Sequence, residues 1–270
     1  MSLFVASIAS GSNGNCYYVG NDNEAVLIDA GVSCREIERR MKRMGLSLQK
    51  VKAVFISHEH SDHIRGLEVL AKKHFLPVYI TPPTLRNGRL NLATRIFSFR
   101  ANETVSVGNL EVVPFSKKHD AIDPCSFVVS CNGIHAGVFT DIGVPFAQVI
   151  YHFSKCHAAF LETNYDEEML ENGAYPYHLK RRIRSDHGHL SNDQALKLFL
   201  QHRPQYMSHL FLSHLPRNNN CPVKTSQLFN KHCGSTKIVV ASRYEETPVY
   251  HIAGNRALEI VQASQMELQF

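Results

Sequence analysis

The 270-residue chain has no tryptophan, and its seven cysteines form no Cys-x-x-Cys pair. An odd count without that spacing argues against a disulfide framework and a paired-thiolate zinc ribbon, leaving reduced thiols in the core or at the surface. Cys156-His157 and the Cys221 and Cys233 pair read as packing residues rather than metal ligands. No stretch approaches the ~18 to 20 apolar residues of a membrane span, and no repeat or low-complexity tract interrupts the chain. The opening Met1 to Ser7 lacks the basic region of a secretory leader, so the expectation is a soluble, cytoplasmic protein with no membrane partner. Neither sign of charge dominates: net charge is +5 with a pI near 8.8, a moderate basic bias that suits a polyanionic partner without requiring one. Hydrophobic residues make up 44%, ample for a packed core. The sixteen histidines are the outlier.

Four ligand-type residues stand within six positions. Val54-Phe55-Ile56 reads as a buried strand, followed at once by Ser57-His58-Glu59-His60-Ser61-Asp62-His63-Ile64-Arg65-Gly66. Neutral imidazole is the commonest ligand of a borderline divalent ion, and alternate residues of an extended turn, His58 and His60, can aim at one ion. Asp62 and His63 then face a second position beside it. Any one of these histidines fits a solvated strand end; the group fits metal chemistry. Ser61 and Asp62 are good cap residues, which predicts a helix from here through Leu67, Val69 and Leu70.

Around this stretch the pattern alternates strands and helices. Strands are predicted at Leu3 to Ile8, Cys16 to Val19 and Ala25 to Ile28, with the turn-rich Ser10 to Asn15 between the first two. Asp29 reads as a structural turn residue, and Ser33 to Glu36 as a capping box. Its helix carries Ile37, Met41 and Met44 on one face and Arg35, Arg39, Arg40, Lys42 and Arg43 on the wet one. Later strands are read at Pro77 to Thr81, Val105 to Val107, Glu111 to Phe115, Ser126 to Ser130, Ile134 to Thr140, Ala158 to Leu161, Met207 to Ser213, Lys237 to Ala241 and Val249 to Ile252.

Four of these strands end on a chemically useful residue. His119-Asp120 follows one, Asp141 another, Glu162 a third and His214 a fourth. Glu162 suits support of a metal ligand and a strand-end anchor equally. Between the last two lies Lys180-Arg181-Arg182-Ile183-Arg184, then His187-Gly188-His189-Leu190-Ser191, with Ser191 and Gln194 capping a helix. A solvated basic face and a phosphate-binding helix start account for this stretch equally well.

The pattern His-x-His-x-Asp-His-x-x-Gly, complete with Gly66, resembles the signature of the metallo-β-lactamase-fold hydrolases. The resemblance implies an α/β fold, an αββα sandwich of two facing mixed sheets with helices outside, here as one domain over 1–270. It implies His58, His60 and His119 on one divalent ion, Asp62, His63 and His214 on another, and Asp141 as the bridge. Zn²⁺, Mn²⁺ and Fe²⁺ all suit such a donor set. Two ions ~3.5 to 4 Å apart lower the pKa of a shared water, whose hydroxide is then the nucleophile.

Further motifs, Ser10-Gly11-Ser12-Asn13-Gly14-Asn15-Cys16, Glu162 to Asp166 and His187 to Asn192, are similar to the YycJ (WalJ)-like branch, associated with DNA exonuclease activity; the Gly188 to Ser191 loop also resembles the RNase Z nucleases. That branch more often has serine at position 13 and histidine at position 165. The interval between Asp141 and His214 has no room for the inserted nucleic-acid domain of RNase J. The expected function is therefore a nuclease, with DNA favoured over RNA. Asp62, Asp141 and His189 are the catalytic candidates, His189 acting on the leaving oxygen; Arg181, Arg182, Arg184, His187 and Ser191 are the substrate-binding ones. An acyl or thioester hydrolase of the glyoxalase II or lactonase type is the competing expectation, since the same metal core serves both.

Overall fold

A computed structural model describes residues 2–254; the remainder of the expected 1–270 domain lies outside the described residues. Two seven-stranded sheets face each other. The first holds β1 (Ser2–Ala9), β2 (Cys16–Gly20), β3 (Ala25–Ile28), β4 (Val51–Phe55), β5 (Val78–Tyr79) and β6 (Ile96–Phe97). The second runs through β7 (Val105–Val107), β8 (Leu110–Ser116), β9 (Cys125–Cys131), β10 (Ile134–Phe139), β11 (Ala158–Glu162), β12 (His209–Ser213) and β13 (Lys237–Val240). β14 (Tyr250–Ala253) returns to the first sheet beside β1, so the end of the described chain closes the sheet with which it began.

The helices are α1 (Cys34–Arg43), α2 (Ser61–Ile64), α3 (Leu67–His74), α4 (Pro82–Asn87), α5 (Ala147–Phe153), α6 (Glu167–Asn172), α7 (Tyr177–Ile183), α8 (Asn192–His202) and α9 (Pro222–Asn230). Three apolar layers account for the αββα order. The central one joins Leu3, Val5, Tyr17 and Phe55 of the first sheet to Phe127, Val129, Phe160 and Phe211 of the second. A second packs α1 and α3 on the outside of the first sheet, and a third packs α5, α8 and α9 on the outside of the second. In the central layer Tyr17 and Phe160 lie 4.8 Å apart between ring centres and Phe160 and Phe211 4.5 Å, contacts worth about 0.5 to 1.5 kcal/mol each beyond their buried area. Among the described residues no helix is long and apolar enough to cross a membrane.

Strand direction decides where the site forms. β3 and β4 are parallel, as are β10, β11, β12 and β13, and β8 runs the same way as β10 because both are antiparallel to β9. Their C-terminal ends therefore share one edge of the sandwich, where ligands bind in open sheets.

Three local expectations differ from what forms. The helix predicted from Ser61 is two helices, α2 and α3, broken at Gly66, and His60 rather than Ser61 or Asp62 is the cap residue. A Cβ at Gly66 would stand 1.9 Å from the Val32 carbonyl oxygen, so the break lets two backbone segments touch. Arg40, placed on the wet face of α1, is only 5% exposed: its guanidinium donates to the carbonyls of Ile8 and Tyr244 and pairs with Glu36. Pro82-Pro83, which reads as a turn, instead opens α4, the polar segment that follows supplies the short β6, and α5 and α9 form where no helix is predicted.

Candidate metal centre

β4 ends at Phe55, and the chain turns inward. The Ser57 N–H and hydroxyl donate to the two carboxylate oxygens of Asp29, each at 2.8 Å, tying the start of the histidine loop to the end of β3. Asp29 Oδ2 also stands 2.7 Å from His63 Nδ1, which fixes that ring with Nε2 turned to the site. The loop is clamped from below by backbone bonds. The Ala30 N–H donates to the His63 carbonyl, Gly66 N–H to Ala30, and Asn15 N–H to Asp62. A Cβ at Gly31 would lie 1.6 Å from the Asp62 carbonyl oxygen, so this clamp requires glycine.

Three imidazole nitrogens converge first. His60 Nδ1 is 3.1 Å from His58 Nε2 and 3.3 Å from His119 Nε2. Nitrogens held 2.0 to 2.1 Å from one tetrahedral ion lie about 3.3 Å apart, so the spacing is that of a ligand set. The opposite nitrogens are occupied: His119 Nδ1–H donates to the Gly188 carbonyl at 3.0 Å, and His58 Nδ1 faces the Ser57 hydroxyl at 2.8 Å. Burial pushes His58 well below the usual imidazole range and His119 down to about 4, which keeps both in the neutral form that binds metal.

The second set is Asp62, His63 and His214. Asp62 Oδ2 is 3.5 Å from both His63 Nε2 and His214 Nε2. Asp141 lies between the two sets, with Oδ2 at 3.2 Å from His63 Nε2 and Oδ1 at 3.9 Å from His119 Nε2. Asp141 Oδ2 and His214 Nε2 are buried without a hydrogen-bond partner, although polar atoms crowd around them. Polar atoms that converge yet make no bond with one another fit an ion between them. Burial disfavours charge on His63 and His214, but Asp141, Asp29 and Asp62 lift His63 well above its usual value. Asp141, Asp62 and Glu162 lift His214 to about 10. Asp141 is itself held well below the carboxylate range by His214 and His63, against burial. The second set thus demands positive charge, and divalent cations supply it with release of those protons.

Glu162 serves two histidines at once. Its Oε1 accepts from His214 Nδ1 and His189 Nδ1, each at 2.8 Å, and its Oε2 from the N–H groups of Ile142 and Leu190. Despite complete burial, His189 and His214 hold its carboxyl down to about 2. It is both strand-end anchor and ligand support, the two roles left open by its sequence position. His189, with its side chain 20% exposed, stands at the mouth, Nδ1 3.8 Å from Asp141 Oδ1.

One contributor is not among the site residues read from the sequence. Asn15, in the turn-rich loop, donates through Nδ2 to Asp62 Oδ2 at 3.2 Å, while its Oδ1 accepts from the Tyr17 hydroxyl at 3.2 Å. That hydroxyl meets Ser10 Oγ at 2.9 Å, and Ser10 Oγ accepts the His214 N–H at 2.8 Å. A buried chain of three residues, Asn15, Tyr17 and Ser10, therefore links Asp62 beside the first sheet to His214 at the end of β12 in the second. Its local signal is an asparagine beside glycines, which reads as a turn, within the Ser10 to Cys16 motif that resembles the YycJ-like branch.

The basic stretch is mostly engaged elsewhere. Arg182 pairs with Asp120, and Arg184 with Glu171 at 2.6 Å. Arg181 and His187 are exposed. Ser191 is wholly buried, its hydroxyl accepting the Gln194 N–H in a capping box. The Ser191 hydroxyl is committed to the start of α8, as its place before Gln194 predicts.

Residues 24–214 match the family model described as the beta-lactamase superfamily domain. The chain is 36% identical to exodeoxyribonuclease YycJ of Bacillus anthracis over 82% of its own length and 85% of that protein's. The chain belongs to the metallo-β-lactamase superfamily, within the YycJ and WalJ family. Like other members of this superfamily, it is a metal-binding hydrolase. Exodeoxyribonuclease WalJ of Streptococcus pneumoniae is 30% identical over 79% of this chain and 81% of that one. Among solved structures, Zn²⁺-bound PqqB from Methylobacterium extorquens superposes with a TM-score of 0.72 over 90% of this chain and 99% of its own, at 15% identity, a likeness of fold.

Proposed function

We propose that this protein is a nuclease that degrades DNA from an end, using two divalent ions held by His58, His60 and His119 and by Asp62, His63 and His214, with Asp141 shared. The observation that carries the DNA reading is the likeness to YycJ over more than four-fifths of both chains. Ions held there would act as Lewis acids on the phosphodiester and lower the pKa of an attacking water.

The protein's own groups account for the rest. Asp29 and Glu162 orient ligand histidines from behind, and Asn15 holds Asp62. With Nδ1 bonded to Glu162, His189 has Nε2 left to protonate or hold the departing alkoxide. The exposed Arg181, on the helix whose Arg182 pairs with Asp120 beside His119, offers charge to the strand. Asp62 and Asp141 act as ligands, and their catalytic part is to fix where the water and phosphate meet.

The test is degradation of end-labelled double-stranded DNA, single-stranded DNA and RNA by metal-free protein resupplied with Mn²⁺ or Zn²⁺, beside Asp141→Ala. Metal-dependent mononucleotide release from DNA, absent in the variant, is expected. Hydrolysis of S-lactoylglutathione or a lactone with no cleavage of nucleic acid would overturn the reading.

A further inference from the structure

A cavity opens at the strand next to the one that ends at His214. Across the second sheet, the C-terminal ends of β10, β11 and β12 deliver Asp141, Glu162 and His214. β13 is parallel to β12, and strands sit about 4.8 Å apart, so the segment after Val240 arrives one strand spacing beyond His214. That segment carries Arg243. Together with the residues that follow His214 it encloses a cavity of about 350 Å³, lined by Leu215, Arg217, Asn220, Ser242, Arg243 and Tyr244 among others. The volume falls within the range of small-ligand sites.

Neither of its cations is spent on an acid, although the Arg243 guanidinium lies 5.6 Å over the Tyr244 ring. Among the described residues, neither Arg217 nor Arg243 makes an ion pair, in contrast to Arg182 and Arg184 on the other flank. Arg243 Nε is buried without a hydrogen-bond partner. The backbone that presents it is fixed: Arg40 donates to the Tyr244 carbonyl, the Ser10 N–H to Ser242, and the Thr247 N–H to Ser7. On the opposite wall Asn220 is tied to Thr163, Asn192 and Thr225. The Ser10 to Asn15 loop joins cavity and metal centre. Gly11 lies against Leu215 and Arg243, while Asn15 reaches Asp62. A rigid pocket holding two unpaired guanidinium groups and a 67% exposed tyrosine ring matches a phosphate with an attached sugar and base.

We propose that this cavity is the subsite for the nucleotide at the end of the strand being degraded, Arg217 and Arg243 holding its phosphate and Tyr244 and Leu215 its sugar and base. The inference rests on the nuclease reading and deepens it. A walled site for one nucleotide beside the metals gives a physical reason for removing nucleotides singly from an end.

The test uses the metal-loaded full chain and its Arg217→Gln/Arg243→Gln variant, with metal content and circular dichroism as controls. Three probes are compared: a single-stranded oligodeoxynucleotide, deoxyadenosine monophosphate binding by calorimetry, and bis(p-nitrophenyl) phosphate. The double variant should raise the oligonucleotide KM and the monophosphate Kd about tenfold or more, and leave turnover of the small diester unchanged. The slope of log KM against log salt should fall by about 0.7 for each phosphate no longer neutralised by an arginine. Should the double variant fail to fold, Arg217→Gln alone, at an exposed position, is expected to raise the oligonucleotide KM and the monophosphate Kd severalfold with turnover of the small diester unchanged. Unchanged KM and Kd in a variant, with DNA still degraded by the parent, would overturn the subsite and leave the nuclease intact. A parent that cleaves no nucleic acid would overturn the nuclease reading, and monophosphate binding that is absent or indifferent to both arginines would then overturn the subsite as well.

Discussion

The two sheets contribute to the metal centre in different ways. The first delivers His58 and His60 from the loop after β4 and Asp62 and His63 from the short α2 that follows at once, tied at its start by Asp29 and clamped beneath by Gly31 and Gly66. The second delivers one residue per strand end, His119, Asp141, Glu162 and His214, from elements far apart in the chain. This continuous segment is fixed by hydrogen bonds to neighbouring loops of its own sheet, from Asp29, Ala30 and Asn15. Strand ends depend on register and on packing across the whole sandwich, so their ligands need support from one another. Glu162, bonded to two histidines and two backbone N–H groups, is where that support concentrates.

Asp141 belongs to the strand-end group yet reaches both ligand sets, so its removal should erase the contrast and have the largest effect. Asp141→Ala is expected to lose both ions and reduce DNA degradation to background, read by metal analysis and single-turnover assay. Next in size, Glu162→Gln should weaken one side selectively. Loss of the anion behind His214 should cost 10- to 100-fold in affinity for the ion on Asp62, His63 and His214, and leave the ion on His58, His60 and His119 in place. Metal titration that finds both affinities equally reduced would blur the distinction between the halves. His189→Ala should lower turnover on DNA by roughly 10²-fold with full metal content, as expected of a group acting on the leaving oxygen; loss of metal would make His189 a ligand instead. Smallest, Ser191→Ala should cost about 1 kcal/mol of stability in urea unfolding through removal of the α8 cap, with KM unchanged.

The same contrast governs what can be read from sequence. The loop ligands stand together after an apolar strand, so spacing alone marks them. His119, Asp141 and His214 are single residues after strands, and only the likeness to a known signature singles them out. Part of the reason is conformational: Asp29, Asp141 and His214 all adopt positive φ, between 56° and 63°, a choice made by the surrounding fold rather than by local propensity. The alternation of apolar strands with capped helices is legible in the sequence, and the resemblance to a known signature turns it into a fold. Arg40 is misplaced by helical periodicity, which sees a charged residue and cannot see the two carbonyls, of Ile8 and Tyr244, that draw it inward. Asn15 stays hidden for a similar reason, as its carboxylate partner is supplied by a loop across the site. In α9 the sequence does hold a signal, Pro222 at the first turn, whereas α5 begins after Phe146 with no side-chain cap to announce it.

The central claim is that two ligand sets share Asp141, and metal stoichiometry tests it most directly. Metal-free protein titrated with Mn²⁺ or Zn²⁺ should bind two ions per chain, and Asp141→Ala should bind neither at the concentrations that fill the parent. One ion per chain in the parent, or two retained in the variant, would contradict the shared centre.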